Sequence, residues 1–292
     1  MWSFVAIVGG DPRPCILRRD SAASALGISR ATEYELLSLA DKGGVPVPRP
    51  LFFMGKEAGG PGYVMDRLEG QTIPRKILRD EEFKPALPKL AAQCGEALAK
   101  IHALDVTGLE GLTRVPEGKT PAAHAIAMQR QVYESLGEAH PTFELALRWL
   151  EQHQPEDSRR ALVHGDFRNG NLMIDGSGLV AVLDWELAHL GDPMEDLGWL
   201  CVKSWRFGVS DKPAGGFGSY AELFESYEQH AGVKVDPSLV RFWEIYGNLK
   251  WGVICMLQAS FHLRKLRRSV ELAALGRRVC EMEWDLLEML EK

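Results

Sequence analysis

The stretch LVHGDFRNGNLMIDGSGLVAVLDWE, residues 162–186, decides how the rest of the chain is interpreted. A short apolar strand pattern leads into Asp166, and Asn171 follows five positions later. A second apolar segment, at residues 179–183, leads directly into Asp184. The spacing predicts two acids and an amide on two loops that adjacent strands support. Phosphoryl transfer needs these groups: one carboxylate accepts the proton of the attacking hydroxyl, while an amide oxygen and a second carboxylate hold Mg²⁺ on the nucleotide phosphates.

Composition and charge restrict the class of protein. The 292 residues are 46% hydrophobic and 25% charged, which is ordinary for a soluble globular protein. A net charge of −6 offers no general attraction to nucleic acid or to an anionic membrane, so we expect neither as a partner. The expected partner is a small molecule that carries a hydroxyl, and the sequence leaves the oligomeric state open.

Cysteine usage and apolar runs bear on the cellular compartment. The five cysteines are widely spaced and form no Cys-x-x-Cys pair, which argues against a zinc site or a disulfide framework and favours a reducing compartment. No apolar run approaches the ~20 residues of a transmembrane helix, and the first residues lack the pattern of a secretory signal. We therefore expect a cytoplasmic protein.

The first part of the chain has the pattern of a small sheet. Strand patterns at residues 2–8 and 14–18 flank a Gly-Gly-Asp-Pro turn, as in a β-hairpin. Apolar residues at helical spacing over residues 28–42 end at a Gly-Gly pair, and two more strand patterns follow at residues 51–54 and 62–65. These patterns predict an antiparallel sheet with one helix.

Helical patterns dominate the remainder of the chain. They cover residues 83–104, 121–136, 143–152, 194–205, 220–231, 237–263 and 270–290. Only the strands around Asp166 interrupt them, and the Gly- and Pro-rich loop at residues 208–218 is predicted to be mobile. The prediction is an α+β protein with a small lobe at residues 1–68 and a larger, mostly helical lobe at residues 69–292.

Three sequence elements in order resemble the aminoglycoside phosphotransferase and choline kinase family, which shares its two-lobed fold with protein kinases. They are ILRR followed by TEYELL and VPVPRP, then YVMDRLEG, then LVHGDFRNGNLMI with VAVLDWE. The resemblance covers roughly residues 2–200, and LDWELAHLGDPMEDLGWL is similar to the kinase-like domains linked to acyl-CoA dehydrogenases. It implies a protein-kinase-like fold whose first lobe binds the nucleotide.

The resemblance implies a role for each polar residue of the central stretch. Asp166 corresponds to the catalytic base, and Asn171 and Asp184 correspond to the magnesium ligands. Arg168 stands where protein kinases have a lysine that touches the transferring phosphate, and it would supply positive charge there. ATP and Mg²⁺ are the implied cofactors.

The resemblance also implies a nucleotide site in the first lobe. Arg18 takes the place of the phosphate-binding lysine, and Glu33 takes the place of its acidic partner. Arginine departs from the commoner lysine but can still bind phosphate or carboxylate through two donors. The segment from Asp66 to Leu68 resembles the hinge, whose backbone would meet the adenine edge.

Relatives carry a strand and a Gly/Ser-rich turn before the position of Trp2, and that turn covers the nucleotide phosphates. The predicted sheet therefore lacks its first strand. We expect that the recorded start lies downstream of the natural one, the alternative being a protein that holds ATP without this turn.

The predicted function is an ATP- and Mg²⁺-dependent phosphotransferase acting on a hydroxyl of a small molecule. Lys203 and Arg206 would suit a carboxylate or an acyl-CoA phosphate, and with the resemblance they favour a hydroxyacyl-CoA or a hydroxy acid. The alternatives are a catalytically weak or inactive kinase-like binding protein and an aminoglycoside kinase. His189 and Asp192 would either touch the substrate or cap the following helix, and the tryptophans at positions 199, 205, 243 and 251 are predicted to be core residues.

Overall fold

The first lobe is a four-stranded antiparallel sheet in the order β1-β2-β4-β3. In this computed structural model, which describes residues 1–19, 27–55, 59–156 and 159–291, the strands are β1 (Trp2–Val8), β2 (Asp11–Arg19), β3 (Pro50–Met54) and β4 (Gly62–Asp66). β2 begins earlier than predicted because the hairpin turn has only two residues. Gly9 and Gly10 both have positive φ, +63° and +98°, as a tight hairpin turn requires.

One helix, α1 (Arg30–Lys42), packs against this sheet. The Ser29 side chain accepts a hydrogen bond from the Thr32 amide and caps the helix, which is why the helix starts later than its apolar pattern. Leu36, Leu37 and Ala40 bury one face. Edge strand β1 pairs only with β2 within the described residues, and both the predicted additional strand and the lobe boundary after residue 68 stay predictions.

The second lobe is mostly helical. Its helices are α2 (Pro74–Arg79), α3 (Leu87–His102), α4 (Pro121–Leu136), α5 (Pro141–Gln152), α6 (Met194–Cys201), α7 (Tyr220–Ala231), α8 (Pro237–Leu263), α9 (Val270–Leu275) and α10 (Val279–Leu290). The helix predicted over residues 194–205 ends at Cys201 and continues as a 3₁₀ turn, Lys203–Arg206. The one predicted over residues 270–290 breaks at a 3₁₀ turn that starts at Gly276, because glycine is a poor helix former. None of the described helices has the length and apolar character needed to cross a membrane.

Two short strand pairs position the central loops. β6 (Leu172–Asp175) and β7 (Gly178–Val182) form a hairpin, while β5 (Ala161–Val163) pairs antiparallel with β8 (His189–Gly191). β8 has the sequence His-Leu-Gly, with one apolar side chain, and so lacks the apolar run that marks the equally short β5 in the sequence. Its pairing brings the segment that follows Asp184 against the loop that carries Asp166.

The loop at residues 208–218 is partly packed rather than fully exposed. Residues 214–218 are buried, and the Asn169 side chain donates a hydrogen bond to the Gly215 carbonyl at 2.8 Å. The prediction of a mobile loop therefore fits at most its exposed first half. The packed half lies against the loop that carries Asp166.

Candidate active site

The loop from His164 to Asn171 is fixed by a carboxylate of the helical lobe. Asp196, on α6, accepts hydrogen bonds from the His164 amide at 2.7 Å and from the Gly165 amide at 2.9 Å. Gly165 has φ +79°, and a Cβ at this position would collide with the Leu187 carbonyl oxygen. The turn before Asp166 therefore needs glycine, and α6 determines where it lies.

Two histidines extend this support into the core. The His102 ring lies between Asp196, at 3.1 Å, and the hydroxyl of Tyr227, at 2.9 Å, and His102 and Asp196 are fully buried. Burial lowers the pKa of His164 against the attraction of nearby carboxylates, so its ring is neutral. One ring nitrogen accepts from the Asp166 amide at 3.2 Å, and the other donates to the Leu183 carbonyl at 3.1 Å.

Three donors surround the Asp166 carboxylate. Its Oδ1 accepts from Arg168 Nε and from Trp199 Nε1, both at 2.9 Å. Its Oδ2 accepts from Asn171 Nδ2 at 2.5 Å. Asp166 is thus held in one orientation, with Arg168 beside it as a fixed positive charge.

Asn171 and Asp184 fit a hard divalent cation. The Asn171 side-chain Nδ2 donates hydrogen bonds to the backbone carbonyl and to the carboxylate of Asp166. No donor among the described residues lies within hydrogen-bond distance of Asn171 Oδ1. Asp184 has an unusual φ of +65°, a strained conformation often found at functional sites. No group of three or more His, Cys, Asp or Glu that would hold a metal occurs in the described part of the chain. Mg²⁺ commonly takes one or two protein carboxylates and completes its shell with water and substrate phosphates, so two oxygen ligands are enough.

The predicted pair of Arg18 and Glu33 is formed. Arg18 Nε lies 3.3 Å from Glu33 Oε1, and Arg18 Nη2 lies 2.8 Å from Asp184 Oδ1 and 3.1 Å from Glu186 Oε2. Although burial opposes the charge, Glu33 and other partners raise the pKa of Arg18. Burial and the nearby Asp184 raise the pKa of Glu186.

Glu186 was not singled out from the sequence. The available signal was its place two residues after Asp184, in DWE, because one turn of backbone carries both carboxylates to the same guanidinium.

A cavity of about 310 Å³ lies between the lobes and contains this arginine. We call it the interlobe cavity. Its apolar lining includes Ile16, Leu37, Pro48, Tyr63, Met65, Met173 and Val182. Its polar lining includes Arg18, Glu33, Asn171 and Asp184. A planar aromatic group and a charged tail would suit such a lining.

The predicted hinge lines the same cavity. The Asp66 side chain binds Arg13 through two hydrogen bonds of 2.7 and 2.9 Å, and the Asp66 amide donates to the Arg49 carbonyl. The Leu68 amide has no backbone partner among the described residues. Any contact of this segment with a nucleotide base would therefore come from its backbone, not from the Asp66 carboxylate.

A second cavity, of about 440 Å³, lies on the other side of Glu186. We call it the helical cavity. It is lined mainly by apolar side chains, among them Ile28, Val115, Met128, Leu187 and Leu190. Its polar and charged lining includes His124, His189, Lys250 and the two carboxylates Glu186 and Glu195.

We call the loop from His164 to Asn171, which holds the candidate base Asp166, the catalytic loop. Lys250 connects the helical cavity to this loop. Lys250 Nζ lies 3.1 Å from both the Gly165 carbonyl and Glu195 Oε1. His189 pairs with Glu195 at 3.1 Å, and Asp192 accepts from the Met194 amide at 2.9 Å. The Asp192 side chain therefore binds the first amide of the helix, as in the capping alternative, whereas His189 lines a cavity and its contact with a substrate stays a prediction.

A row of tryptophans stands beside Asp166. Trp199 and Trp205 have ring centroids 5.2 Å apart, and Trp205 and Trp251 are 4.8 Å apart. Trp199 and Trp205 are buried, as predicted for core residues. A cationic group lies over each ring, and its distance is measured to the ring centroid. Lys250 Nζ is 4.7 Å from Trp199, Arg168 Cζ is 4.6 Å from Trp205, and Arg278 Cζ is 5.8 Å from Trp251. The contact of Trp199 with Asp166 was not predicted.

Sequence comparison identifies related proteins. The family model described as phosphotransferase enzyme family matches residues 2–233. Acyl-CoA dehydrogenase family member 10 of Mus musculus is 31% identical over 206 residues, covering 65% of this chain and 18% of that protein. A homoserine kinase of Methylocella silvestris is 28% identical over 195 residues, covering 64% of this chain and 56% of that protein. The chain thus spans only a minor part of the mouse relative.

Comparison of structures agrees with the predicted fold. A choline/ethanolamine kinase family protein from Mesorhizobium loti superposes with a TM-score of 0.64 at 20% identity, covering 99% of this chain and 88% of that one. The two-lobed kinase-like α+β fold is therefore confirmed, as is the resemblance to the choline kinase and aminoglycoside phosphotransferase group. With the family model matching most of its length, the chain belongs to the phosphotransferase enzyme family.

Proposed function

We propose that the protein is an ATP- and Mg²⁺-dependent phosphotransferase that transfers the γ-phosphoryl group to a hydroxyl of a small molecule. The observation that carries the proposal is the convergence of Asp166, Asn171 and Asp184, with Arg18 2.8 Å from Asp184. Arg18, Asn171 and Asp184 line the interlobe cavity, and Lys250 connects the helical cavity to Gly165, the residue before Asp166. One cavity would hold the nucleotide and the other the acceptor.

In the proposed reaction, each side chain has a role that its present contacts support. Asp166 would orient the acceptor hydroxyl and take up its proton as the new phosphorus–oxygen bond forms. Arg168, 2.9 Å from Asp166, would lie beside the transferring group and offset its negative charge. Asn171 Oδ1 and Asp184 would hold Mg²⁺, which when bound neutralises charge on the phosphates.

The interlobe cavity suits a nucleotide. Its apolar side chains would sandwich a base, and the free Leu68 amide would donate to the edge of that base. Arg18 would then exchange part of its contact with Asp184 for a phosphate oxygen, because a guanidinium binds phosphate and carboxylate with the same donors.

The helical cavity is the better of two candidate acceptor sites. It shares Glu186 with the Arg18 network, and Lys250 ties it to the residue preceding Asp166. The other candidate is a cavity of about 750 Å³ lined by Lys203 and Arg206, the residues that the sequence suggested for an anion. Ion pairing does not separate the two cavities, because Lys203 is paired with Asp285 at 2.6 Å and Arg206 with Glu244 at 2.8 Å, while Lys250 is paired with Glu195 at 3.1 Å. The helical cavity is preferred because Lys250 also contacts the Gly165 carbonyl, beside Asp166.

The lining of the helical cavity favours an acceptor with an aliphatic body and a carboxylate or thioester, namely a hydroxy acid or a hydroxyacyl-CoA. Apolar walls suit the chain, and Lys250 would attract an anionic or carbonyl oxygen. The homoserine kinase and the acyl-CoA dehydrogenase relative agree with such an acceptor. An aminoglycoside is disfavoured because the acids Asp192, Glu195 and Asp196 already have partners in the protein.

An acceptor screen tests this proposal. Release of ADP is measured with hydroxy acids including homoserine, with hydroxyacyl-CoAs, with choline and with aminoglycosides, each with and without Mg²⁺. We expect Mg²⁺-dependent turnover with a hydroxy acid or a hydroxyacyl-CoA. Turnover with an aminoglycoside alone would overturn the proposed acceptor class, and turnover without Mg²⁺ would overturn the proposed cofactor.

One observation favours a second candidate, a nucleotide-binding protein with little or no turnover. Arg18 Nη2 lies on Asp184 and Glu186, so a positive charge already neutralises the carboxylate that would bind the metal. In that case ATP with Mg²⁺ would raise the melting temperature, because ligand binding stabilises the native state, but no acceptor would be phosphorylated.

A further inference from the structure

Trp199 is the one donor to the Asp166 side chain that comes from outside the catalytic loop, within the described residues. The other two, Arg168 and Asn171, belong to the same loop and move with it. Trp199 lies on α6, thirty-three positions further along the chain, and its Nε1 is 2.9 Å from Asp166 Oδ1. Among the described residues, this is the one hydrogen bond that joins the carboxylate to a helix of the second lobe.

The contact also distinguishes the two oxygens of the carboxylate. Oδ1 accepts from both Arg168 and Trp199, whereas Oδ2 accepts only from Asn171. A carboxylate oxygen has two lone-pair sites, so Oδ2 is the oxygen with capacity left for an incoming hydroxyl. Trp199 thereby helps to decide which oxygen faces the acceptor.

Lys250 acts on the same indole from its face. Its Nζ lies 4.7 Å from the centre of the Trp199 ring and is held there by Glu195 and the Gly165 carbonyl, each at 3.1 Å. A cation over an aromatic face is attracted to the ring and draws electron density from it, which makes the indole N–H a better donor. Trp199 itself is only 2% exposed, so water does not compete for this hydrogen bond.

We propose that Trp199 is a positioning residue for Asp166: its indole N–H holds Oδ1 and leaves Oδ2 as the oxygen that receives the acceptor's proton. The inference rests on the proposed phosphotransferase function. It goes beyond that function because it names a residue that lines neither the interlobe cavity nor the helical cavity.

The test compares Trp199→Phe with a matched tryptophan. Trp251→Phe is the control, since the Trp251 N–H is buried without a partner among the described residues and its ring packs against Trp205 and Arg278. One hydrogen bond to a charged group contributes about 1.5–3 kcal/mol, so we expect Trp199→Phe to lower kcat by roughly 10- to 150-fold. KM for ATP and for the acceptor should change little, because binding does not use this bond.

A measurement on the folded protein covers the case in which Trp199→Phe does not fold. The indole N–H signal of Trp199 is followed by ¹H–¹⁵N NMR in the natural sequence and in Asp166→Ala. Loss of its partner should move this signal and speed its exchange with solvent, while the Trp251 signal stays in place.

The outcomes separate the inference from the function on which it rests. Turnover is measured with the best acceptor and, in parallel, as ATP hydrolysis with water as the acceptor. An active natural sequence with equal kcat in Trp199→Phe and Trp251→Phe overturns the positioning role alone. An unmoved Trp199 signal in Asp166→Ala does the same. Absence of both activities in the natural sequence overturns the proposed function, and the inference with it.

Discussion

The two ends of the candidate site are held in different ways. At the Asp166 end, backbone amides of the loop donate hydrogen bonds to Asp196, a fully buried carboxylate on α6 that also contacts the His102 ring. At the Arg18 end, the guanidinium bridges Asp184 and Glu186, whose side chains are each 38% exposed. The first end is part of the core of one lobe, whereas the second joins the sheet lobe to the helical lobe by charge.

This difference indicates which part of the site is ready before ligands arrive. Buried hydrogen-bonded charges are costly to disrupt, while partly exposed ion pairs contribute little and are screened by salt. We infer that Asp166, the proposed general base, is already in place before ligands bind. The Arg18 end should rearrange, because Arg18, Asp184 and Glu186 would give up contacts with one another to bind nucleotide and metal.

The largest expected effect follows from removing the base. Asp166→Ala should lower kcat by roughly 10²- to 10⁴-fold, the usual contribution of a positioned general base. The melting temperature should fall less than in a variant that loses Asp196, because Asp196 fixes the loop, whereas Asp166→Ala leaves the buried Trp199 N–H without its acceptor. Steady-state kinetics with the acceptor found in the screen measures the effect, and turnover close to that of the natural sequence would show that another group takes the proton.

Removing the buried support should disturb both stability and activity. Asp196→Ala leaves the amides of His164 and Gly165 and the His102 ring without their acceptor, so we expect a loss of roughly 3–5 kcal/mol in the free energy of unfolding. Urea titration measures it, and the exposed pair partner Glu81, bound only to Lys84, serves as control in Glu81→Ala. Equal stability of the two variants would mean that Asp196 does not hold the loop.

At the other end, Arg18→Ala should weaken nucleotide binding more than it destabilises the fold. Loss of one charge-assisted contact of about 1.5–3 kcal/mol corresponds to an ATP affinity roughly ten or more times lower. Calorimetric titration with ATP and Mg²⁺ measures it. Arg19→Ala is the control, because Arg19 follows on the same strand but bonds to the Gly59 carbonyl. The comparison between the two ends fails if both variants bind ATP equally.

The smallest effect concerns pH. His189 faces two acceptors, the Leu187 carbonyl at 2.9 Å and Glu195 at 3.1 Å, and needs both ring protons to donate to them. Although burial opposes the charge and Lys250 repels it, Glu195 raises the pKa of His189 above its ordinary value. Its stabilising contribution, roughly 1 kcal/mol, is therefore complete below about pH 6.5 and is lost as the pH rises through the raised value.

His189→Gln should remove this pH dependence. Urea titrations between about pH 6 and pH 9 compare the variant with the natural sequence, the window being set by the ordinary histidine pKa of about 6.5. Parallel pH profiles in the two proteins would contradict the assignment of a charged His189.

The sequence predicts best what depends on local spacing. Asp166 and Asn171 lie together because they are five positions apart in one loop, and Asp184 joins them because the Leu183 amide donates to the Asn171 carbonyl at 2.8 Å. The strands before Asp166 and Asp184 were expected to be adjacent, which is wrong, since β5 pairs with β8 and β7 pairs with β6. The contact from Trp199 to Asp166 was missed because it joins distant elements, and its apolar surroundings indicate only a core residue. β8 was missed because His-Leu-Gly contains one apolar residue, whereas the equally short β5, Ala-Leu-Val, is an apolar run. The contact of Glu186 with Arg18 was recognised only in the folded structure, where the two side chains are 3.1 Å apart.

The hydrogen bonds that Asp196 accepts have a consequence for hydrogen exchange. The amides of His164 and Gly165 sit in a loop, yet their protons are bound to a fully buried carboxylate. An amide of this kind exchanges only when the structure around it opens, so these two should exchange as slowly as amides of the central helices. The loop that holds Asp166, the proposed base, should therefore open only when the core around Asp196 opens.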